Sequence, residues 1–329
     1  MTRQLRYREA ICEALDEEME RDPAVYLLGE DLRDPWGGTY KATAGLSTKY
    51  GGDRVVNTPI AEEAIIGCAL GSALTGLRPV AELMYIDFLT RAMDAVTNQV
   101  AKVRYMSGGQ ATVPLTIRTQ GGGGRSSGAQ HGNSLEAWVC HVPGLLVAMP
   151  STPADAKGLL KTAIRLDDPV FFIEHKMLYP TTGMVPEGEH TIPFGVADVK
   201  RRGEHVTIVA TSRMVHVSLD AAERLAAEGI SAEVIDPRTL VPLDEDTILD
   251  SVTRTNRLVV VSEEVERCSW AAELVALVQK RAFGYLEAPI ERVCALNTPL
   301  PFQPDLERYV LPSVEDVVAA VHETVGPGR

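Results

Sequence analysis

The sequence predicts an α/β protein that consists of two three-layer α/β/α domains, each built on a mostly parallel sheet. Short apolar runs alternate with segments of helical period through most of the chain, which is the pattern of a sheet covered by helices. The chain has 329 residues, more than one ordinary core accommodates. A stretch rich in Pro and Gly separates two such alternating regions. We therefore expect a first domain over residues 1–180, a linker over 181–204 and a second domain over 205–329.

In the first domain, apolar runs predict the strands and amphipathic segments predict the helices between them. Helices are expected over 7–20, after Thr58-Pro59, over 88–105, and from Pro153 with Thr152 as the N-cap. The expected strands cover residues 25–31, 55–56, 78–85, 113–119, 145–149 and 169–174. The second domain repeats the alternation, which indicates right-handed crossovers between parallel strands.

The stretch from Asn57 to Gly76 combines apolar and acidic residues in an unusual way. It predicts a buried helix of Ala, Ile, Leu, Gly, Ser and Thr, yet the first turn of this helix holds Glu62 and Glu63. Acids at such a position commonly complement the positive end of the helix dipole. The alternative is that one of them points into a buried site and takes part in chemistry. Helical phase does not distinguish Glu62 from Glu63, because each shares a face with apolar residues.

Charge and cysteine content narrow the function classes. The 32 basic and 45 acidic residues give a net charge of −13, which argues against nucleic acid and anionic membranes as partners. The five cysteines are scattered, without the spacing of a zinc site or the even count of a disulfide framework. The N-terminal segment is amphipathic and acidic without an apolar signal core, and no run is long enough to span a membrane. We expect a cytoplasmic protein.

The loops after the expected strands hold the residues best suited to chemistry, because open parallel sheets bind ligands beyond the carboxyl ends of their strands. Glu62, Phe88 and the glycine run Gly121–Gly124 followed by His131 all lie there. The glycine run matches neither a dinucleotide fingerprint nor a phosphate-binding loop that ends in Gly-Lys-Ser or Gly-Lys-Thr, so the motifs indicate neither NAD nor ATP. A lone histidine is more often structural than catalytic, but the position of His131 in a loop after a strand favours acid-base work.

Several longer segments carry a resemblance to one known family. They are LLGED, TPIAEEAIIGCALGSALTGLRPVAEL, MYIDFLTRAMDAVTNQVAK, RYMSGG, AQHGNSLEAW, PGLLVAMPSTPADAKGLLKTAIR, DDPVFFIEHKMLY and IDPRTLVPLD. The chain resembles the beta subunit of the thiamine diphosphate-dependent decarboxylase component of 2-oxo acid dehydrogenases, the pyruvate, branched-chain 2-oxo acid and acetoin dehydrogenase family. The resemblance covers nearly the whole length. It implies a transketolase-like fold, with a pyrimidine-binding domain before a transketolase C-terminal domain.

The resemblance implies roles for individual residues. Glu62 matches the acid that hydrogen-bonds the aminopyrimidine of thiamine diphosphate and favours the tautomer that removes the weakly acidic thiazolium proton. Phe88 matches the aromatic ring that stacks on the pyrimidine, and Met84 matches the residue that lies against it. His131 matches the histidine that faces the substrate and donates a proton during reductive acylation. The positions whose mostly backbone oxygens would bind a structural potassium ion are Leu115, Ala163, Ile164, Leu166 and Asp168.

The motifs that the chain lacks indicate that it holds only part of such a site. The family binds Mg²⁺ and the diphosphate through Gly-Asp-Gly followed by Asn, and no Gly-Asp-Gly occurs here. The resemblance therefore implies a separate alpha subunit in a heterotetramer of two alpha and two beta subunits. It also implies a lipoyl-bearing acyltransferase or carrier protein as the acyl acceptor. The small residues of Gly67-x-x-x-Gly71 and of Ala69-x-x-x-Ala73 would let helices approach closely at a subunit interface, or would only pack within the subunit.

Three segments depart from the family pattern. Gly132-Asn133 replaces the usual Ser-Gln, Pro180 replaces a usual Gly, and Cys268-Ser269-Trp270 lies where the family has a glycine-rich turn. These departures leave the donor and the acyl acceptor open. The expected activity is decarboxylation of a 2-oxo acid with reductive acylation of a lipoyl carrier. The alternatives are an acetoin dehydrogenase or a ketol- or acyl-transferring relative that delivers a two-carbon unit to a carrier protein, and, from another class, a non-catalytic scaffold subunit.

Overall fold

The computed structural model describes residues 2–326, which form two compact units. Unit 1 contains the chain up to Gly121 together with Trp138–Phe194. Unit 2 contains Gly122–Ala137 and everything after Phe194. The chain therefore enters unit 2 for one short segment, returns to unit 1, and later enters unit 2 again. This short segment lies within the range that the sequence assigned to the first domain.

Unit 1 is built on a parallel sheet. A separate antiparallel pair consists of β1 (Thr2–Arg6) and β8 (Thr182–Pro186). The strands of the sheet are β2 (Val25–Gly29), β3 (Val55–Asn57), β4 (Arg78–Leu83), β5 (Thr116–Gly121), β6 (Leu146–Ala148) and β7 (Val170–His175). They lie in the order β6-β7-β5-β4-β2-β3, and each neighbouring pair is parallel. The six strands predicted for this half of the chain are all present, with shifted ends.

Helices connect these strands. They are α1 (Tyr7–Arg21), α2 (Leu46–Tyr50), α3 (Glu62–Leu74), α4 (Leu89–Asp94), α5 (Val103–Met106), α6 (Glu136–Cys140) and α7 (Pro153–Arg165). α7 begins as predicted, because the Thr152 hydroxyl accepts a hydrogen bond from the amide of Asp155 at 3.1 Å and Pro153 lies in the first turn. α1 packs along α7, and both bury apolar side chains in the main core of the unit.

The prediction of a continuous helix over 88–105 is wrong. A π-helical stretch, Ala95–Val100, separates α4 from α5. The amide of Ala101 donates to the carbonyl of Val96 at 3.0 Å, five residues back, and the Thr97 hydroxyl donates to the carbonyl of Met93 at 2.7 Å. Hydroxyl groups that bond back in this way disturb the regular helical ladder. Apolar periodicity does not reveal such a change in hydrogen bonding.

The expectation that α3 is buried holds for one face only. The buried face consists of Glu62, Ile65, Ile66, Ala69 and Ala73. The opposite face is exposed and carries Gly67, Gly71 and the apolar side chain of Leu74. A Cβ atom added at Gly67 or Gly71 would meet no atom within 4 Å. The helix therefore presents a smooth face of small residues, because only one side of it packs on the sheet.

A buried ion triad connects three strands of the unit 1 sheet. Arg118 of β5 donates from Nη1 to Glu82 of β4 at 2.8 Å, and from Nε and Nη2 to Glu174 of β7 at 2.6 and 2.8 Å. The Tyr179 hydroxyl also donates to Glu174. All four side chains are buried. The fork of the guanidinium group thus gives one shared counter-charge to two carboxyl groups that would otherwise lie in the interior without any.

Unit 2 has its own mostly parallel sheet. Its strands are β9 (Asp198–Arg201), β10 (Val206–Ala210), β11 (Ala232–Asp236), β12 (Thr239–Val241), β13 (Leu258–Val265) and β14 (Glu291–Ala295). Five of them lie in the order β14-β13-β10-β11-β9, where only β9 runs antiparallel to its neighbour. The predicted α/β class with mostly parallel sheets is confirmed. The strands β8 and β9 lie in the stretch 181–204, for which composition predicted no regular structure.

The helices of unit 2 follow the predicted alternation. They are α8 (Arg213–Ala227), α9 (Glu245–Thr255), α10 (Trp270–Ala282), α11 (Pro304–Val310) and α12 (Val314–Val325). A second apolar core lies between α8, α12 and the strands β10, β11 and β13. The short helix α11 was not predicted. Across residues 2–326, no helix is long and apolar enough to cross a membrane.

The ion triad makes a testable prediction about stability. Arg118→Met should lower the free energy of unfolding by about 3–5 kcal/mol, because it leaves Glu82 and Glu174 buried without a counter-charge. Urea unfolding followed by circular dichroism measures the change. Arg104→Met is the matched control, since Arg104 pairs with Asp168 at the surface and should cost no more than about 1 kcal/mol. Equal losses in the two variants would contradict the role of the triad.

Candidate active site

Chemically distinctive residues follow three neighbouring strands of the unit 1 sheet. Glu30 follows β2, Glu62 follows β3 after a short loop, and Met84 follows β4. β2 lies between β3 and β4, and the three strands are parallel, so that their carboxyl ends share one edge of the sheet. Open α/β sheets bind ligands at this edge. We call this edge, with the residues that follow the three strands, the unit 1 edge.

Burial distinguishes the two acids that begin α3. Glu62 is only 4% exposed, whereas Glu63 is exposed. Arg91 Nε lies 3.7 Å from Glu62 Oε2, but the Arg91 side chain is 73% exposed, so that solvent screens the pair. Glu62 therefore presents a buried carboxyl group to the unit 1 edge. Helical phase left the choice between the two acids open, and their exposure favours Glu62.

Glu30 is an acid that the sequence analysis did not single out. Its side chain is buried, and among residues 2–326 its Oε1 atom has no hydrogen-bond partner. Burial, and then the nearby charge of Glu62, raises the pKa of Glu30 to about 7. A carboxyl group with such a pKa exchanges its proton near neutral pH. The available signal was the position of this acid directly after the buried strand β2.

Met84 and Phe88 supply apolar surface at the end of β4. Met84 is half-buried, and its sulfur accepts a hydrogen bond from the Thr39 hydroxyl. Phe88 ends a 3₁₀ turn, Ile86–Phe88, that leads into α4, and it is also half-buried. Side chains in this position keep part of their apolar surface available to a flat ring. Their cofactor-binding roles stay predictions.

The positions predicted for potassium do not form an open set of oxygens. Arg78 Nη1 donates to the carbonyl oxygens of Ile164 and Leu166 at 3.1 and 3.0 Å. A potassium ion at these two carbonyls would share them with a group of like charge, which is unfavourable. The set therefore does not fit the ion. Nor do residues 2–326 bring three or more His, Cys, Asp or Glu side chains together as metal ligands.

His131 lies in unit 2, in the loop between β5 and α6, and its side chain is exposed. The amide of Gly122 donates to the carbonyl of Asn133 at 3.1 Å, and Asn133 Nδ2 donates to the carbonyl of Ala129 at 2.9 Å. Asn133 thus closes the loop around His131. Of the four residues predicted for catalysis and cofactor binding, three lie at the unit 1 edge and this one lies in unit 2.

Two of the three departures from the family pattern have a local explanation. A Cβ atom added at Gly132 would lie 2.8 Å from Leu300 Cδ1, so the leucine fills the space of a side chain at that position. Ser269 begins α10, where its hydroxyl accepts a hydrogen bond from the amide of Ala272 at 3.3 Å. Nothing in the structure explains Pro180.

A second pair of buried carboxyl groups lies in unit 2. Glu264 accepts hydrogen bonds from the amides of Ala137 at 2.9 Å and Trp270 at 2.7 Å. Glu136 is buried, and its Oε2 atom has no hydrogen-bond partner among the residues that the structure describes. Burial raises the pKa of Glu264 to about 7, and burial together with the charge of Glu264 raises the pKa of Glu136 well above its usual range. The two groups titrate as a coupled pair.

Comparison with known proteins identifies both parts of the chain. The profile of the transketolase pyrimidine-binding domain matches residues 3–182, and that of the transketolase C-terminal domain matches residues 195–317. The acetoin:2,6-dichlorophenolindophenol oxidoreductase subunit beta of Cupriavidus necator is 49% identical over 100% of both chains. The chain belongs to the 2-oxo acid and acetoin dehydrogenase beta-subunit family. Members of this family are subunits of oxidoreductases.

Other relatives match over most of their length. The mitochondrial pyruvate dehydrogenase E1 component subunit beta-2 of Oryza sativa subsp. japonica is 45% identical over 97% of this chain and 85% of that one. The 2-oxoisovalerate dehydrogenase subunit beta of Bacillus subtilis is 42% identical over 96% of this chain and 97% of that one. A solved split gene transketolase, an inactive beta4 tetramer, aligns with a TM-score of 0.79 and 25% identity over 97% of each chain. The predicted family and the transketolase-like fold are confirmed.

Membership in this family implies thiamine diphosphate as the cofactor. The unit 1 edge fits the aminopyrimidine half of the cofactor. Glu62 supplies a buried carboxyl group, Glu30 supplies a buried oxygen without a hydrogen-bond partner among the described residues, and Phe88 and Met84 supply apolar surface. A heterocycle with hydrogen-bonding nitrogens satisfies such a set, whereas an apolar ligand would leave the buried oxygen unsatisfied.

The Glu136 and Glu264 pair predicts a pH-dependent stability of unit 2. Both pKa values are raised in the folded protein, so the stabilisation is fully present below the unfolded value of about 4.3 and is lost as the pH rises through about 7. The free energy of unfolding should fall by on the order of 3 kcal/mol between pH 5 and pH 8. Urea unfolding followed by the fluorescence of the buried Trp270 measures this change. Glu136→Gln should flatten the profile, and an unchanged slope in this variant would refute the assignment.

Proposed function

We propose that the chain is the beta subunit of a heteromeric thiamine diphosphate-dependent 2-oxo acid dehydrogenase, which decarboxylates a 2-oxo acid and reductively acylates a lipoyl carrier. The observation that carries this proposal is the buried carboxyl group of Glu62 at the unit 1 edge, beside Glu30 with its raised pKa. Similarity over most of the chain to pyruvate and 2-oxoisovalerate dehydrogenase beta subunits supports the substrate class.

Each residue of the unit 1 edge has a defined task in this proposal. Thiamine diphosphate, when bound, supplies the carbon nucleophile that attacks the oxo group and accepts the electron pair left by carbon dioxide. Glu62 holds a proton at the pyrimidine ring, where burial keeps water from competing for it. Phe88 and Met84 orient the ring by apolar contact. Burial raises the pKa of Glu30 to about 7, so below that pH this carboxyl group is largely neutral and limits the negative charge at the unit 1 edge.

His131 is the proposed proton donor in transfer of the acyl group to the lipoyl sulfur. Its imidazole is exposed, as a group that meets the arm of a second macromolecule must be. Histidine suits the task, because its ordinary pKa lets it give and take protons near neutral pH. A lipoyl-bearing acyltransferase or carrier protein is the proposed acceptor.

An alpha subunit is the partner that membership in a beta-subunit family implies. We assign the diphosphate and Mg²⁺ to that subunit, because this chain has no Gly-Asp-Gly motif. We further propose a heterotetramer of two alpha and two beta subunits. The exposed face of α3 around Gly67 and Gly71 is the surface assigned to close helix packing between subunits, since each of these glycines has open space at its missing side chain.

Acetoin is the second candidate substrate. The acetoin:2,6-dichlorophenolindophenol oxidoreductase beta subunits of Cupriavidus necator and Bacillus subtilis are 49% and 46% identical and match at least 98% of each chain. The same residues suit both reactions, because the bond that breaks lies next to a carbonyl group in each substrate. The assembly with the alpha subunit should be assayed with pyruvate, 3-methyl-2-oxobutanoate, acetoin and a ketose phosphate. The substrate with the highest kcat/KM identifies the donor.

The remaining predictions have unequal support. The pyrimidine-binding domain at 1–180, the linker at 181–204 and the C-terminal domain at 205–329 stay proposals, and the profile ranges 3–182 and 195–317 support the two domains but not the exact bounds. The cytoplasmic location rests on composition alone. Potassium has no structural support, because Arg78 already donates to two of the carbonyl oxygens assigned to it.

Glu62→Gln tests the proposed function directly. The amide cannot hold or transfer the proton at the pyrimidine, so kcat should fall by about 10²–10⁴-fold. The assay follows 2-oxo acid decarboxylation by the purified alpha-beta assembly through reduction of 2,6-dichlorophenolindophenol. Glu223→Gln, at an exposed acid of α8 in unit 2, is the control and should keep activity within about 3-fold. Wild-type turnover in Glu62→Gln would exclude the proposed role of Glu62 in proton transfer. If the wild-type assembly is inactive on every donor, the result would favour a non-catalytic scaffold subunit.

Gly71→Leu tests the α3 face as a subunit interface. The side chain enters open space in the isolated chain, and leucine is the better helix former by roughly 1 kcal/mol, so folding should be retained. Assembly with the alpha subunit should weaken at least about 10-fold, because two helices can no longer approach closely. Light scattering of the co-purified complex measures the assembly. Ala226→Leu, at an exposed small residue of α8, is the control. Normal assembly of Gly71→Leu would remove this face from the interface.

A further inference from the structure

The loop Gly122–Ala137, which carries His131, has an irregular backbone that is bonded to carboxylates from other parts of unit 2. Before α6 it contains no helix or strand. Its φ angles are positive at every second position over one stretch, with 85° at Gly122, 93° at Gly124, 54° at Ser126 and 76° at Gly128. Regular helices and strands do not contain such an alternation, so these amides lack the partners that a helix or sheet would give them. The amides of Gly124 and Ser126 instead find an acceptor outside the loop.

Glu307 of α11 is that acceptor. Its Oε1 accepts the amide of Gly124 at 2.9 Å, and its Oε2 accepts the amide of Ser126 at 2.8 Å and the Ser126 hydroxyl at 3.4 Å. The Glu307 side chain is only 3% exposed. Within residues 2–326, the hydrogen bonds of this carboxylate end on the loop. Charge-assisted bonds from two backbone amides fix the loop more firmly than neutral pairs do.

Glu263 provides a second anchor at the next amide. Its Oε1 accepts the amide of Gly123 at 2.6 Å, and its Oε2 lies 3.6 Å from Arg213 Nη1. Glu263 is therefore shared between the loop and an arginine. Glu307, by contrast, serves the loop alone, which makes it the better residue for separating the position of the loop from the stability of unit 2.

Two leucines hold the loop from the apolar side. A Cβ atom added at Gly123 would lie 2.8 Å from Leu311 Cδ1, and one added at Gly132 would lie 2.8 Å from Leu300 Cδ1. Both leucines belong to the small apolar cluster next to α11. The absence of a side chain at these glycines lets the loop backbone lie directly against the leucines. Gly132 is the neighbour of His131, so this contact fixes the backbone beside the imidazole.

We propose that Glu307 is the residue that positions His131 for acyl transfer. The inference rests on the role given to His131 in the proposed function. Glu307 acts by holding the backbone on the N-terminal side of His131, while Leu300 holds the backbone on the C-terminal side. An imidazole on a loop fixed at both ends keeps one orientation, which proton donation to an incoming sulfur requires.

Glu307→Gln tests the proposal in the complete assembly with the alpha subunit. The amide nitrogen cannot accept the amide of Gly124 or Ser126, so one anchor is lost. With free lipoamide as the acceptor, reductive acylation should slow by at least about 10-fold, with an unchanged KM for the 2-oxo acid. Dye-linked decarboxylation, which does not use the lipoyl group, should change by less than about 3-fold. Asp305→Asn, an exposed acid in the same helix, is the matched control and should behave as the wild type.

A double-variant cycle separates positioning from general stabilisation. If Glu307 acts through His131, the variant that combines His131→Ala with Glu307→Gln should acylate lipoamide no more slowly than His131→Ala alone. Losses that multiply in the double variant would overturn the proposal, because they would show that Glu307 acts on something other than His131. Loss of dye-linked and lipoamide-dependent activity to the same extent would overturn it as well.

Hydrogen exchange measured by mass spectrometry tests the anchor without any activity. In Glu307→Gln, amides of the peptide 122–130 should exchange at least about 10-fold faster, while peptides from α8 should be unchanged. If the wild-type assembly is inactive but Glu307→Gln still shows the faster exchange, the anchor is supported while the proposed function fails. Unchanged exchange in Glu307→Gln would overturn the inference. If Glu307→Gln does not fold, Glu307→Asp keeps the charge and withdraws it by one methylene. Smaller changes of the same kind in Glu307→Asp would support the proposal, and the absence of any change would refute it.

Discussion

The unit 1 sheet depends on the neutralisation of Arg118. An arginine buried at the centre of a sheet is tolerated only if its charge and its donors are satisfied, and Glu82 and Glu174 on the flanking strands do this at 2.6–2.8 Å. Arg118 faces Glu82 in the register of β4 and β5. Two residues beyond Glu82 the chain reaches Met84. The triad therefore ties β4, the strand whose end carries Met84, to β5 and β7.

The protein uses buried carboxyl groups in two different electrostatic settings. Glu82 and Glu174 share the guanidinium group of Arg118, whose positive charge opposes the rise that burial causes in the pKa of Glu82. Glu30 has no such partner among the described residues, and burial beside Glu62 raises its pKa to about 7. A buried carboxyl group thus has a structural role where a guanidinium group pairs with it, and it can exchange protons where it lacks such a partner. Neither setting can be read from the composition of the chain.

The periodicity of apolar residues predicted the main strands and helices. The elements that were missed depend on hydrogen bonding or on contacts between distant parts of the chain. α1 and α7 followed from apolar spacing and from the Thr152 cap, since these signals act over a few residues. The π-helical stretch at 95–100 was missed because the spacing of apolar residues does not show whether backbone hydrogen bonds reach four or five residues back. β8 was missed because its pairing partner is β1, at the other end of unit 1. Signals within a few residues were thus enough to predict the sheet and its main helices.

The candidate site was predictable to the same degree. The resemblance selected Glu62, and its burial gives an independent physical reason to prefer it to Glu63. Glu30 was overlooked, because an acid after a strand usually lies in solvent. Glu307 carried no local signal, since its partner amide at Gly124 is 183 positions away in the sequence. Only the fold brings such groups together.

The anchoring of the 122–137 loop also sets an order of events during synthesis. Gly124 leaves the ribosome 183 residues before Glu307. At translation rates of about 5–20 residues per second, this separation corresponds to roughly 10–40 seconds in which the loop amides must remain solvated. The strands of unit 1 on both sides of the loop are complete well before then. The segment that carries His131 is therefore among the last parts of the nascent protein to become ordered, and a stalled ribosome would display it as an open, protease-sensitive loop.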